Sequence, residues 1–107
     1  IEPDADALRC AAGLGVLGVE FHTGKYANAR SLKERKKELE RLAHASREAA
    51  GLGLEVYAGH GLTYHNVGPV AALPEVEELN IGHSIVARAL WVGMTEAVRR
   101  MKSLMKK

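Results

Sequence analysis

Leu54-Glu55-Val56-Tyr57-Ala58-Gly59-His60-Gly61-Leu62-Thr63-Tyr64-His65-Asn66-Val67 is the stretch on which the fold turns. Leu54 to Ala58 is short and β-prone and ends at Gly59-His60-Gly61, so it reads as a strand that stops at a glycine turn. Asn66 then caps a helix with Pro69 in its first turn, where a missing N–H costs nothing. Val70 to Leu73 continue that helix as far as Pro74. Strand, glycine turn and helix together make one βα unit.

The same order recurs on both sides. Upstream, Val16 to Phe21 is a β-prone run that stops at His22-Thr23-Gly24, and the residues through Asn28 read as loop. Ser31 stands three residues before Glu34, the spacing of a capping box in which each side chain satisfies the other's exposed N–H. Leu32, Leu39, Leu42, Ala43, Ala49 and Ala50 then recur with helical period, and Gly51 and Gly53 supply the stop. Before them, Asp4 or Asp6 caps a short helix carrying Leu8, Ala11 and Ala12, which ends near Gly13 or Gly15. Ile1-Glu2 reads as the last scrap of a further strand. Downstream, a strand over Glu78 to Ile81 stops at Gly82-His83. Ser84 onward is helical, with a break at Gly93, a fresh cap at Thr95 and a last apolar stripe of Val98, Met101, Leu104 and Met105.

Strands alternating with helices predict parallel strands joined by right-handed crossovers. Residues 1–107 therefore read as one α/β domain with few strands. A closed barrel has eight, so the chain reads as a piece of a larger α/β protein or a subunit that completes its sheet by association. Its open strand edges otherwise invite pairing.

Composition narrows the function. With 47% hydrophobic and 26% charged residues the chain is of the globular class. No apolar run approaches the roughly 20 residues of a membrane span, and Ile1-Glu2-Pro3-Asp4 does not open like a signal peptide. Cys10 is the only cysteine, which excludes an internal disulfide and fits a reducing cytoplasm. A formal charge of +2 argues against nucleic acid. Lys33, Arg35, Lys36, Lys37 and Arg41 are interleaved with Glu34, Glu38 and Glu40 at helical spacings, the pattern of a solvated helix face.

The chemistry-bearing residues stand where the strands stop. The first strand delivers Glu20 and His22, the second Gly59, His60 and Gly61, the third Asn80, Gly82 and His83. In an α/β barrel these C-terminal strand ends share one mouth. Alternation puts Glu20 and His22 on one face, opposite Val19 and Phe21. A carboxylate near imidazoles suits general acid–base chemistry, although an ion pair that only satisfies a barrel interior explains Glu20 as well. Glycine admits a ligand close to the backbone, and helix-terminal amides offer donors to an anion. His60-Gly61 and Gly82-His83 are therefore candidate phosphate cradles, Gly82-His83-Ser84 the better of the two. The same glycines also serve tight turns. His22, His60, His83 and Glu20 form a possible zinc set, but no HExxH, HxH or thiolate cluster enforces it. No GxSxG elbow occurs.

The segments Glu20-Phe21-His22-Thr23-Gly24-Lys25-Tyr26-Ala27, Ala58 to Val67 (AGHGLTYHNV) and Glu78 to Ile85 (ELNIGHSI) closely resemble the pyridoxine 5′-phosphate synthase family. The resemblance runs from about Ile1 to Met105 and corresponds to the second half of a family member. It implies the C-terminal half of a (β/α)8 barrel that condenses 1-deoxy-D-xylulose 5-phosphate with 3-amino-2-oxopropyl phosphate and closes the pyridine ring, with no metal or organic cofactor. By resemblance His60 is the proton donor and Glu20 stabilises a charged transition state. Gly61, Gly82 and His83 bind 3-amino-2-oxopropyl phosphate. The family's two proton acceptors and most contacts to the deoxyxylulose phosphate fall in the N-terminal half. Tyr57 departs from the smaller polar residue, such as Asn, expected beside the GHG turn, and is expected to place bulk near the mouth. The expected partners are a phosphorylated small molecule or inorganic phosphate, and a second copy or a complementary half-barrel. The alternative is an engineered or dissected half-barrel with a structural, self-associating role and at most residual phosphate binding.

Overall fold

Alternation in the first strand divides the molecule into two sides. In the computed structural model, which describes residues 1–107, Val19 and Phe21 are buried while Glu20 and His22 face outward. The strand, β1, spans Gly18–His22. It pairs in parallel with β2 (Glu55–Gly59), which pairs in parallel with β3 (Val76–Asn80), giving an open sheet of order β1-β2-β3. Val56, Ala58 and Val76 continue the buried face. Glu20, Tyr57 and Glu78 lie side by side across the other.

The buried face is covered by helices. Leu8 and Ala11 of α1 (Ala5–Gly13) join Leu42, Ala45 and Ala49 of α3 (Leu32–Gly51) and the inward strand residues in one core. Full burial of a side chain such as Phe21 is worth about 1.5–3 kcal/mol. Asp4, rather than Asp6, caps α1, its Oδ1 accepting from the Ala7 N–H at 2.8 Å. Ser31 caps α3 by accepting from the Glu34 N–H at 3.1 Å. The reciprocal arm differs from a capping box, because Glu34 accepts from the Arg30 N–H at 2.7 Å instead of from Ser31. Leu32 and Ala50 fall off the α3 stripe and are exposed. At 3.6 residues per turn each lies about 80° round the axis from Leu42, and Ala45 and Ser46 take the inward positions.

Further boundaries depart from the sequence reading: β1 starts at Gly18 rather than Val16, the helix that follows Asn66 ends at Ala71 rather than Leu73, and the helix after β3 starts at His83 rather than Ser84. Gly24–Ala27, expected as loop, forms a single helical turn, α2, because Tyr26 is buried there and donates its hydroxyl to the Asn66 carbonyl at 2.6 Å. β3 starts at Val76, since that side chain belongs to the core, and ends at Asn80. Asn66 does not cap α4 (Val67–Ala71) with its side chain. Its amide turns back instead, accepting from the Thr63 N–H at 2.7 Å and donating to the Gly61 carbonyl at 3.2 Å. Gly93, at φ 85°, breaks α5 (His83–Val92) from α6 (Met94–Leu104) and itself occupies the α6 N-cap, so Thr95 lies inside the first turn. On α6, Ala97 and Met101 are buried and Val98 is exposed.

Ile1 behaves as a strand residue. Its N-terminal amine donates to the Glu20 carbonyl and its own carbonyl accepts from the His22 N–H, both at 2.7 Å, which is parallel pairing beside β1. No helix is long and apolar enough to cross a membrane.

Candidate active site

All three strands end at one rim, where a cleft of about 640 Å³ opens between the β2 turn and the start of α5. Glu20, His60, Gly61, Gly82 and His83 all line it. Asn80 lines it too, although the sequence placed it only at a strand end.

Glu20 is aimed by its neighbours. Asn80 Nδ2 donates to Glu20 Oε1 at 2.5 Å, across the middle strand. Gly59 lies between them, and a Cβ there would come within 3.0 Å of both Glu20 Oε2 and the Asn80 carbonyl oxygen. The absence of a side chain on Gly59 is therefore what lets a β1 carboxylate reach a β3 amide. Charge-assisted bonds of this kind are the stronger class, so Glu20 is held with its carboxylate over the strand ends.

His60 sits in an uncommon backbone state. Its φ is 87°, in the region that glycine tolerates and other residues rarely adopt, and Gly61 follows at φ 80°. The buried Thr23 hydroxyl lies 2.6 Å from the His60 carbonyl and 2.9 Å from that of Gly59, and the Thr23 N–H donates to the Gly59 carbonyl at 2.8 Å. The His60 ring stacks on His22 with centroids 4.1 Å apart.

Gly82 and His83 open α5. The first bond within this helix runs from the Val86 N–H to the Gly82 carbonyl, so the amides ahead of Val86 have no partner inside it. No acidic residue lies in the first turn and no side chain caps it. A Cβ on Gly82 would meet nothing within 4 Å, and its φ is −124°, so neither packing nor backbone angle requires glycine there. Ser84 fastens this helix end to the β2 rim by donating its hydroxyl to the Leu62 carbonyl at 2.8 Å. No lysine or arginine lines the cleft. An anion in it meets backbone amides and imidazoles. The rim histidines and Glu20 are not gathered into a group of three that could hold a metal ion.

Tyr57 does not crowd the mouth, contrary to the sequence expectation. Its hydroxyl bonds the Glu55 carboxylate, two residues back along β2, and its ring lies near Gly18 at the opposite end of the sheet. That bond, with burial and the charges of Glu55, Glu78 and Glu77, pushes its phenol up to about 12.

The sequence missed Thr23; it named His22 only as a strand-end residue and member of a candidate zinc set, and Asn80 only as a strand-end residue, without the stacking on His60 or the bond to Glu20. The alternation that placed Glu20 and His22 on one face carried no information about which rim groups meet across strands.

The chain matches, over residues 1–107, the family described as "Pyridoxal phosphate biosynthesis protein PdxJ". It is 53% identical over 106 residues to a pyridoxine 5′-phosphate synthase of Magnetococcus marinus, covering 99% of this chain and 44% of that protein. It is 55% identical over 105 residues to the one from a Synechococcus species, covering 98% and 44%. For the one from Legionella pneumophila the identity is 52% over 105 residues, covering 98% and 42%. The chain thus spans less than half the length of these relatives. A match that runs from the first residue of the chain to the last, on a parallel α/β scaffold with its polar groups at one rim, means that this chain belongs to the PdxJ family.

Proposed function

We propose that this chain contributes one part of the active site of a pyridoxine 5′-phosphate synthase, the part that holds 3-amino-2-oxopropyl phosphate and donates a proton during ring closure. The reading is supported by the names of relatives more than 50% identical over nearly the whole chain. The observation that carries it is that Glu20, His60, Gly61, Gly82 and His83 line a single cleft. The unpaired amides at the start of α5, beside a glycine that nothing in the fold requires, suit the substrate's phosphate. His60 donates a proton during ring closure, and the Glu20 carboxylate, held by Asn80, stabilises the charge of the transition state. The acceptor groups of the reaction belong to the N-terminal remainder of the barrel, which completes the open sheet as a complementary half. Identity above 50% to named synthases favours this over a purely structural half-barrel.

The test is reconstitution with the N-terminal part of a full-length relative, followed by product formation. His60→Ala is expected to lower the rate by about 10²-fold or more, the usual scale of general-acid catalysis. Full rate in that variant would sink the assignment of His60.

A further inference from the structure

We infer that His22, Thr23 and Gly24, at the end of β1, are positioning residues that set the pose of the His60 imidazole; this rests on the reading of His60 as proton donor. The proposal concerns residues that carry no role in the reaction by resemblance. It starts from the backbone. At φ 87° His60 occupies a state that costs a non-glycine residue energy, so surrounding contacts must hold it there. Thr23 is that contact. Its side chain is 2% exposed, and its one hydroxyl proton is shared between the carbonyls of Gly59 and His60, at 2.9 and 2.6 Å. The Thr23 N–H adds a third tie at 2.8 Å to Gly59. The β1 rim thus grips both peptide units that define the direction in which His60 leaves β2.

His22 sets the ring. The two imidazoles stack with 24° between planes, so His22 is a shelf that removes rotamer freedom from His60. The shelf is itself fixed. Its Nδ1 accepts from the Gly24 N–H at 3.3 Å. Gly24 completes the arrangement, because a Cβ there would lie 2.5 Å from His22 Cε1 and 3.2 Å from His60 Cδ2. Any larger residue would push the shelf away from the ring it supports. Proton donation depends on where the donor atom points, and a displacement of about 1 Å is enough to cost roughly 10²-fold in rate.

Two measurements test this. In the chain itself, the carbon-bound imidazole protons of His60, assigned with His60→Gln, are followed by NMR. Stacking is expected to hold them upfield of a free imidazole. Thr23→Val and His22→Ala are expected to move them to the free position while circular dichroism stays that of the parent; Thr23→Ser and His22→Phe are expected to retain them. In the reconstituted synthase the first two variants are expected to lose about tenfold or more in kcat with KM within about twofold, and the conservative two to keep their rate, as positioning predicts. Unchanged His60 signals in a folded Thr23→Val or His22→Ala chain would overturn the proposal. Should Thr23→Val fail to fold, His22→Ala decides, since that side chain is 45% exposed and outside the core. If His60→Ala kept full rate, the proton-donor reading would fall, whereas an inactive His60→Ala beside a fully active His22→Ala would sink only the positioning role.

Discussion

His60 is a residue held where its own backbone does not favour it, and that makes a prediction separable from chemistry. Replacing it with glycine removes the penalty of a positive φ, so His60→Gly is expected to match or exceed the parent in urea denaturation, by up to about 1 kcal/mol. His60→Ala keeps the penalty and is expected to be less stable than His60→Gly. Two tyrosines make a second prediction at this scale. Burial pushes the Tyr26 phenol up, with Arg35 opposing in part, and the Glu55 bond raises Tyr57 to about 12. Below the ordinary tyrosine value of 10.0 both are protonated whether the chain is folded or not, and their contribution is complete. As pH rises further the unfolded chain loses these protons first, so stability falls through the alkaline range up to the folded values. Tyrosinate absorbance of the folded chain should lag that of the urea-unfolded chain, and the urea midpoint should drop above pH 10.0. Coincident absorbance curves would contradict this. The sequence marked His60 and Gly61 at a strand end, but it held no sign of the φ that distinguishes them or of the Thr23 hydroxyl that sustains it.

At the scale of elements, α3 depends on a cap and the rim on a missing side chain. Ser31→Ala removes the acceptor for the Glu34 N–H and is expected to cost about 1 kcal/mol, read as a lower urea midpoint with unchanged slope. Gly59→Ala forces a methyl to within 3.0 Å of the Asn80 carbonyl and Glu20 Oε2. Backbone cannot yield as a flexible side-chain tip can, so β2 and β3 must part locally, with a loss of about 1–3 kcal/mol expected in the same measurement. The Glu20–Asn80 bond is expected to be lost with it. The helix starts at Asp4 and Ser31 and the break at Gly93 were legible because capping and breaking are local chemistry. The start of β3 and the α2 turn were not, because Val76 and Tyr26 are ordered by a core that lies far away along the chain.

Across the whole molecule, one side of the sheet is covered and the other is not. Glu20, His22 and Glu78 stand on the open face, β3 has a free edge, and α5 buries no residue of its own. Leu90 and Trp91 of α5 are 83% and 86% exposed, more apolar surface than a finished domain usually shows. A complementary half or a second copy is expected to cover these surfaces. Light scattering is then expected to give a mass above the 11.6 kDa of one chain, or a one-to-one complex when the other half is added. Trp91, the only tryptophan, reports on this directly: its emission should move to the blue on association if α5 lies in the interface. A monomer at every concentration that also ignores the other half would contradict the expectation.

Alternating β-prone runs, glycine turns and capped amphipathic stretches were enough to establish parallel βα units, because period and capping act over a few residues. They also put Glu20, His60, Gly61, Gly82 and His83 at strand ends, since a strand ends where its local pattern does. The grouping of those ends into one cleft, the reach of Asn80 over Gly59 and the stacking of His22 on His60 came only from the tertiary structure. Such contacts join residues 38 to 60 positions apart, through strand register and twist, which no local pattern encodes.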